Sequence, residues 1–273
     1  MIPFAKAHAC GNDFLIVTED AAAKRDWAEL TRQICARNTG VGADGVEFFA
    51  WTGSKSGRIR LHNADGSIAE ISGNGTRCVA AWMSSMIGAK SGDELRIETD
   101  AGIRVCRINS VRVDLGYSVE VTTGMGIPSA ARKTVTLADG SQVNGVAVST
   151  GNPHFVILVA NPEFTVGDRT WQTIGAQICI HSDFPHQTNV EFVRIVNSSE
   201  IEIRIFERGV GPTTSSGTGS SAAATAAIAF HACTSPLRVL APGGSQVVTW
   251  RGQANELELT GPASLIARGE AWC

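Results

Sequence analysis

ISGNGTRCVAAW, residues 71–82, sets a Ser-Gly-Asn-Gly turn ahead of a run of small and apolar residues. SSGTGSSAAATAAIAF, residues 215–230, does so a second time. A glycine-bearing turn that opens onto alanine-rich sequence reads as a helix start. Residues 76–88 and 218–232 are apolar almost all round, the pattern of a helix buried on every side. Gly88 and the Thr234-Ser235-Pro236 cluster are the expected stops. One more helix is legible at 21–36, where Trp27, Leu30, Ile34 and Cys35 share a face.

The flanks of both turns alternate apolar and polar residues with a period of two. ELRIETDAGIRVCRINSVRVDLG (94–116) breaks at Asp100-Ala101-Gly102, a hairpin signal. QVNGVAVSTGNPHFVILV, VEFVRIVNSSEIEIRIFERG and SQVVTWRGQANELELTG follow the same period. The expected class is therefore α+β: two similar domains, each an antiparallel sheet wrapped around one central buried helix. The recurring order of strand, hairpin, Gly-rich turn and buried helix suggests an internal duplication. Its boundary is expected near Gly116 to Val121, giving domains 1–116 and 117–263, with 264–273 returning to the first.

Composition excludes several classes. Hydrophobic residues make up 43% and charged residues 18%, the balance of a globular chain. A net charge of −3 with no Lys/Arg block gives no electrostatic reason for a nucleic-acid partner. MIPFAKAHACGNDF lacks a charged leader followed by an apolar core, and no apolar stretch is long enough to span a bilayer, so a cytoplasmic protein without a membrane partner is expected. The seven cysteines are scattered and form no C-x-x-C pair, which speaks against a disulfide framework or a zinc site.

A helix N-terminus exposes unpaired N–H groups and a positive dipole end, and neighbouring glycines let an anion approach the backbone. Two such turns suit a small ligand with carboxylates. Ser72 and Ser216 at their heads are either N-caps or reactive hydroxyls, a choice the sequence leaves open. Asn12, Asn63, Asn152 and Asn189 recur in short polar clusters at strand ends, beside charged residues. Amides that donate and accept suit a zwitterionic amino acid; Arg208 offers a fork to a carboxylate, and Glu207 an acceptor for an ammonium.

GNDF, NADGS, GNGTRC, GNPH and ERG in this order, closing on GPASLIARGEAW, resemble the diaminopimelate epimerase family of the pyridoxal-independent amino-acid racemases, nearly end to end. The resemblance implies two similar domains with the active site in the cleft between them, and a homodimer. It implies two-base epimerisation of LL-diaminopimelate to the meso form, in lysine and cell-wall precursor biosynthesis, without cofactor or metal. Carried onto this chain, the catalytic pair falls at Ser72 and Ser216. Substrate contacts fall at Asn12, Asn63, Gly73, Asn74, Asn152, Asn189, Glu207, Arg208, Gly217 and Thr218. The family carries cysteine at both catalytic positions, whereas this sequence has serine; Cys10 and Cys78 lie outside the matching slots. A thiol ionises near pH 8.5 and an alcohol far less readily, so the serines need an auxiliary base, for which His154 and Glu207 are the expected groups. The alternatives are a dehydratase, a racemase of another amino acid, or an amino-acid-binding relative without catalysis.

Overall fold

The computed structural model describes residues 1–69, 71–114 and 116–273. It divides into two compact units, Met1–Gly124 with Gly261–Cys273, and Met125–Thr260. The first division falls later than residue 116, because the strand Tyr117–Gly124 stays in register with the strand before it (Val111↔Val119, Cys106↔Thr123).

The first unit contains β1 (Ile2–Ala9), β2 (Asn12–Thr18), α1 (Trp27–Cys35), β3 (Gly45–Gly53), β4 (Ser56–Asn63), β5 (Ile68–Ala69), α2 (Gly73–Ile87), β6 (Glu94–Thr99), β7 (Gly102–Arg112) and β8 (Tyr117–Gly124). The second contains β9 (Ser129–Thr136), β10 (Gln142–Ser149), β11 (Pro153–Leu158), α3 (Trp171–Cys179), β12 (Asn189–Asn197), β13 (Glu200–Glu207), β14 (Gly211–Thr213), α4 (Gly217–Phe230), β15 (Leu237–Ala241) and β16 (Gly244–Trp250). The last strand, β17 (Leu257–Ala271), pairs its beginning with β16 and its end with β1.

In the first unit the pairings β1–β2–β3–β4–β6–β7–β8–β17 return to β1, which closes a barrel. Its interior is α2, packed against β1, β2, β6, β7 and β8. In the second unit α4 packs against β9 to β13, β15 and β16 in the same manner. The sheets are not purely antiparallel, as expected from the hairpins alone. Among the described residues each unit holds two parallel pairs, β2/β3 and β4/β6 in the first, β11/β12 and β13/β15 in the second. The reason is topological: a helix that crosses between strands returns the chain in the same direction, and α1, α2, α3 and α4 are those crossovers.

The local chemistry of each helix explains its boundaries. Asp26 caps α1, its Oδ1 accepting from Glu29 N at 3.0 Å. Gly88 ends α2 in the left-handed region at φ 65°, where its N–H reaches Ser84 O. Along α4, Ala222, Ala223, Ala224, Ala226 and Ala227 are fully buried. A helix with such short side chains lets surrounding strands approach from every direction. The helix α3 was not legible, since Gly175 and the polar residues of WQTIGAQIC blur its pattern. Gly175 is where Phe206 packs: a Cβ there would stand 2.7 Å from Phe206 Cβ.

None of the seven cysteines is in a disulfide. Among the described residues no helix is long and apolar enough to cross a membrane. Nor do they include a group of three or more His, Cys, Asp or Glu placed to hold a metal ion.

Candidate active site

Ser72 and Ser216 occupy identical positions, the N-caps of α2 and α4. Ser72 Oγ accepts from Gly75 N at 3.0 Å, and Ser216 Oγ accepts from Gly219 N at 3.1 Å. An N-capping hydroxyl lies where the dipole is most positive, a place where negative charge on Oγ would be stabilised. Both readings of these serines thus describe the same geometry. Cys78 is no substitute base: it is buried one turn into α2, and burial pushes its thiol well above the usual range.

Around Ser72 the first unit builds an amide chain. Asn12, at the start of β2, donates from Nδ2 to Asp44 Oδ2 at 2.6 Å and accepts at Oδ1 from Asn74 Nδ2 at 3.2 Å. Asn74 Oδ1 in turn accepts from the fully buried Arg77. Asp44 and Asp13 share Arg37, and Asp13 also meets Lys6 at 3.0 Å. Burial pushes the Asp13 carboxyl up, but hydrogen bonds from Arg37 and Lys6 outweigh it and hold the carboxyl below its ordinary range. Asn63 ends β4 in the row Phe14–Gly45–Asn63, and its Nδ2 donates to Ser67 Oγ at 3.0 Å. It serves the local turn rather than the amide chain.

Around Ser216 the second unit builds a longer relay. Ser216 Oγ is 3.3 Å from Thr218 Oγ1, which Asn152 Nδ2 reaches at 3.4 Å. Asn152 Oδ1 lies 2.9 Å from His154 Nε2, and His154 Nδ1 lies 2.8 Å from Glu191 Oε1. Because Asn152 Oδ1 only accepts, Nε2 carries its proton, and one further proton is held between Nδ1 and Glu191. His154 is therefore joined to Ser216 through Asn152 and Thr218 rather than by direct contact. Asn189 is a brace: its Nδ2 donates to Pro153 O at 3.0 Å and its Oδ1 accepts from Arg208 N at 2.9 Å. Arg208 is exposed, with one guanidinium N–H on His186 O at 3.0 Å. Glu207 is the last residue of β13, half-buried and paired in register with Gly211.

Sequence reading missed two buried carboxyls. Glu47 on β3 and Glu191 on β12 are both fully buried. Each lies two residues into a parallel pairing, Ile16↔Glu47 and Val156↔Glu191. Each presses on a glycine in the first turn of the buried helix. A Cβ on Gly75 would be 2.0 Å from Glu47 Oε1, and a Cβ on Gly219 would be 2.9 Å from Glu191 Oε1. The signal was present as a second repeat, Val-Glu-Phe at 46–48 and again at 190–192, with a charged residue at an inward position of a strand.

The diaminopimelate epimerase family model matches residues 4–126 and 146–266, and so takes in both capped turns and their strands. The chain belongs to the diaminopimelate epimerase family. Relatives in this family include the diaminopimelate epimerase of Desulfitobacterium hafniense, 34% identical over 97% of this chain and 96% of its own length. That of Moorella thermoacetica is 36% identical over 98% of both. Among solved structures, a probable proline racemase from Agrobacterium radiobacter shares the fold at a TM-score of 0.74, with 14% identity over 99% of this chain and 92% of that one.

Proposed function

We propose that this chain epimerises LL-diaminopimelate to the meso form, with Ser72 and Ser216 as the two acid–base groups. One removes the α-proton, and the other delivers a proton to the opposite face of the same carbon. The observation that carries this reading is the matched pair of N-capping hydroxyls, each held by a helix N–H at 3.0 or 3.1 Å in a member of this family. Asn12, Asn63, Asn74, Asn152, Asn189, Glu207, Arg208 and Thr218 read the amino and carboxylate groups, with the backbone of Gly73 and Gly217 beside them. Arg208 uses one guanidinium N–H on a backbone carbonyl and is exposed, which suits it to fork a carboxylate. Thr218, which Asn152 donates to and which lies 3.3 Å from Ser216 Oγ, is placed to donate to that oxygen and so to stabilise negative charge on the second serine, while His154 and Glu191 hold Asn152 in place.

Proton NMR of LL- and meso-diaminopimelate in heavy water tests the proposal. Loss of the α-proton signal with conversion of LL to meso is the expected result. Ligand line broadening without exchange would overturn it in favour of binding without turnover, and loss of water from a β-hydroxy amino acid would favour a dehydratase.

A further inference from the structure

The chain Arg77–Asn74–Asn12–Asp44 in the first unit begins on a guanidinium and ends on a carboxylate, with two amides between them. A guanidinium only donates hydrogen bonds and a carboxylate only accepts them, whereas an amide does either, according to which way its end is turned. Here both ends ask for the same direction. Arg77 Nη2 donates to Asn74 Oδ1, Asn74 Nδ2 donates to Asn12 Oδ1 at 3.2 Å, and Asn12 Nδ2 donates to Asp44 Oδ2 at 2.6 Å. Turning over either amide would set two donors, or two acceptors, against each other.

The matching amide of the second unit runs the other way. Asn12 stands four residues before Ile16, the partner of Glu47, and Asn152 four residues before Val156, the partner of Glu191. Asn74 and Thr218 each follow the capping serine by two residues. Asn12 shows its Oδ1 to Asn74, but Asn152 shows its Nδ2 to Thr218, at 3.4 Å, and keeps Oδ1 for His154. Two differences between the repeats account for the reversal. His154 takes the place of Phe14 and supplies a ring N–H. Ser221 takes the place of Arg77, five residues after the cap, and its Oγ turns back to Gly217 O at 2.9 Å.

Stability alone does not account for Arg77. The residue is fully buried, and among the described residues neither Nε nor Nη1 has a hydrogen-bond partner. A buried cation with unpaired donors costs stability that an apolar side chain of similar volume would not. Nη2 is the nitrogen that holds Asn74, and a further polar neighbour of the guanidinium is Cys10, at the turn from β1 to β2.

We propose that Arg77 is a positioning residue: from inside the core it fixes the direction of Asn74 and, through Asn74, that of Asn12, opposite to the direction of Asn152. This inference rests on the reading of Asn12 as a contact to the amino-acid substrate. Asn74 is almost fully buried, so Asn12, half-buried at the start of β2, is the amide of the pair that a ligand meets. Oxygen and nitrogen of that amide each have capacity for a second hydrogen bond. With the direction fixed, the acceptor lies on the Asn74 side and the donor on the Asp44 side. A ligand group that suits one asparagine meets the reverse pattern at the other.

The test reads the side-chain amides directly. With its side chain 40% exposed, Asp44 is the accessible end of the chain, and Asp44→Asn replaces a pure acceptor by a group that donates or accepts. In proton–nitrogen correlation spectra of Asp44→Asn, the Asn12 amide should still give a single pair of resonances, because Arg77 holds the direction. Adding Arg77→Gln, whose own amide donates or accepts, should split that pair into two sets. Adding Arg77→Lys instead, which keeps a donor-only cation, should leave it single. Diaminopimelate kinetics should follow the same order. Arg77→Gln in the Asp44→Asn protein should raise KM about tenfold with a smaller change in kcat, and Arg77→Lys should raise it far less. In an Asn12→Ala protein Arg77→Gln should add no further rise, since the amide it positions is gone.

A split Asn12 pair in Asp44→Asn alone would overturn the inference, because Asp44 would then set the direction; this arm needs no folded Arg77 variant. A single pair in Asp44→Asn with Arg77→Gln would overturn it too. So would a KM rise that persists undiminished in the Asn12→Ala protein, the mark of general damage to the core. Amides that respond as expected in a protein that never turns over diaminopimelate would sink the epimerase reading, while leaving Arg77 in control of the amide direction.

Discussion

In the first unit the carboxyl under the capping serine has no hydrogen-bond partner, while in the second the equivalent Glu191 Oε1 lies 2.8 Å from His154 Nδ1. Burial pushes both carboxyls up; in the second unit His154 partly offsets the rise. The same strand position, the same helix start and the same buried acid therefore sit in two different electrostatic settings. A duplicated scaffold supplies the position. The residue two positions before its strand partner, Phe14 before Ile16 in one unit and His154 before Val156 in the other, decides whether the acid stands alone.

Removing the acid should expose that contrast most strongly. Glu191→Leu strips His154 of its Nδ1 partner inside the core and should lower unfolding stability by about 3 to 5 kcal/mol. Glu47→Leu removes two oxygens that have no partner and should stabilise by about 1 kcal/mol. Urea denaturation of the two variants measures the difference; equal losses would mean that Glu47 has a partner after all.

The glycines that face these acids should differ next. An alanine Cβ at position 75 would stand 2.0 Å from Glu47 Oε1, so that fully buried side chain must move to admit it. At position 219 the distance to Glu191 Oε1 is 2.9 Å, which a small shift relieves. Gly75→Ala should cost about 3 kcal/mol and Gly219→Ala about 1 kcal/mol. A reversed order would show that the first helix start yields more easily than its packing suggests.

The third contrast is in pH. A folded-state carboxyl at about 8, against 4.5 when unfolded, binds more protons in the native protein between those values. Its stabilising contribution is complete below pH 4.5 and is lost as pH rises through 8, at about 1.4 kcal/mol per unit. The stability of Glu47→Gln should lack that slope, so the difference between variant and unchanged protein should grow with pH across this window. In the second unit, Glu191 and His154 hold a proton between them, and the slope assigned to Glu191 should be shallower.

The contrast between Glu47 and Glu191 was also the part of the site least legible in the sequence. The two capped helices announced themselves because Ser, Gly and a run of Ala signal a helix start locally. Asn12, Asn152 and Arg208 were legible as polar clusters at strand ends. By contrast, Glu47 sits in GVEFFA and Glu191 in NVEFV, and whether such a glutamate points inward depends on strand register, which no local signal fixes. Likewise, the parallel pairing of β2 with β3 depends on α1 crossing between them, a tertiary fact. The relay from Ser216 through Thr218 and Asn152 to His154 joins residues far apart in the chain, so only the fold reveals it.

The smallest expected difference lies at the serines themselves. Ser72→Ala removes an acceptor from Gly75 N, and Ser216→Ala removes one from Gly219 N, so each should cost about 1 kcal/mol as a lost cap. Ser216 also meets Thr218 Oγ1 at 3.3 Å, a contact that ties the cap to the His154 relay. Its loss should therefore reach slightly further, and amide exchange at Asn152 should accelerate in Ser216→Ala, with no matching change at Asn12 in Ser72→Ala. Equal responses at both asparagines would mean that the two turns are alike in their connections as well as in their caps. The asymmetry would then belong to the buried acids alone.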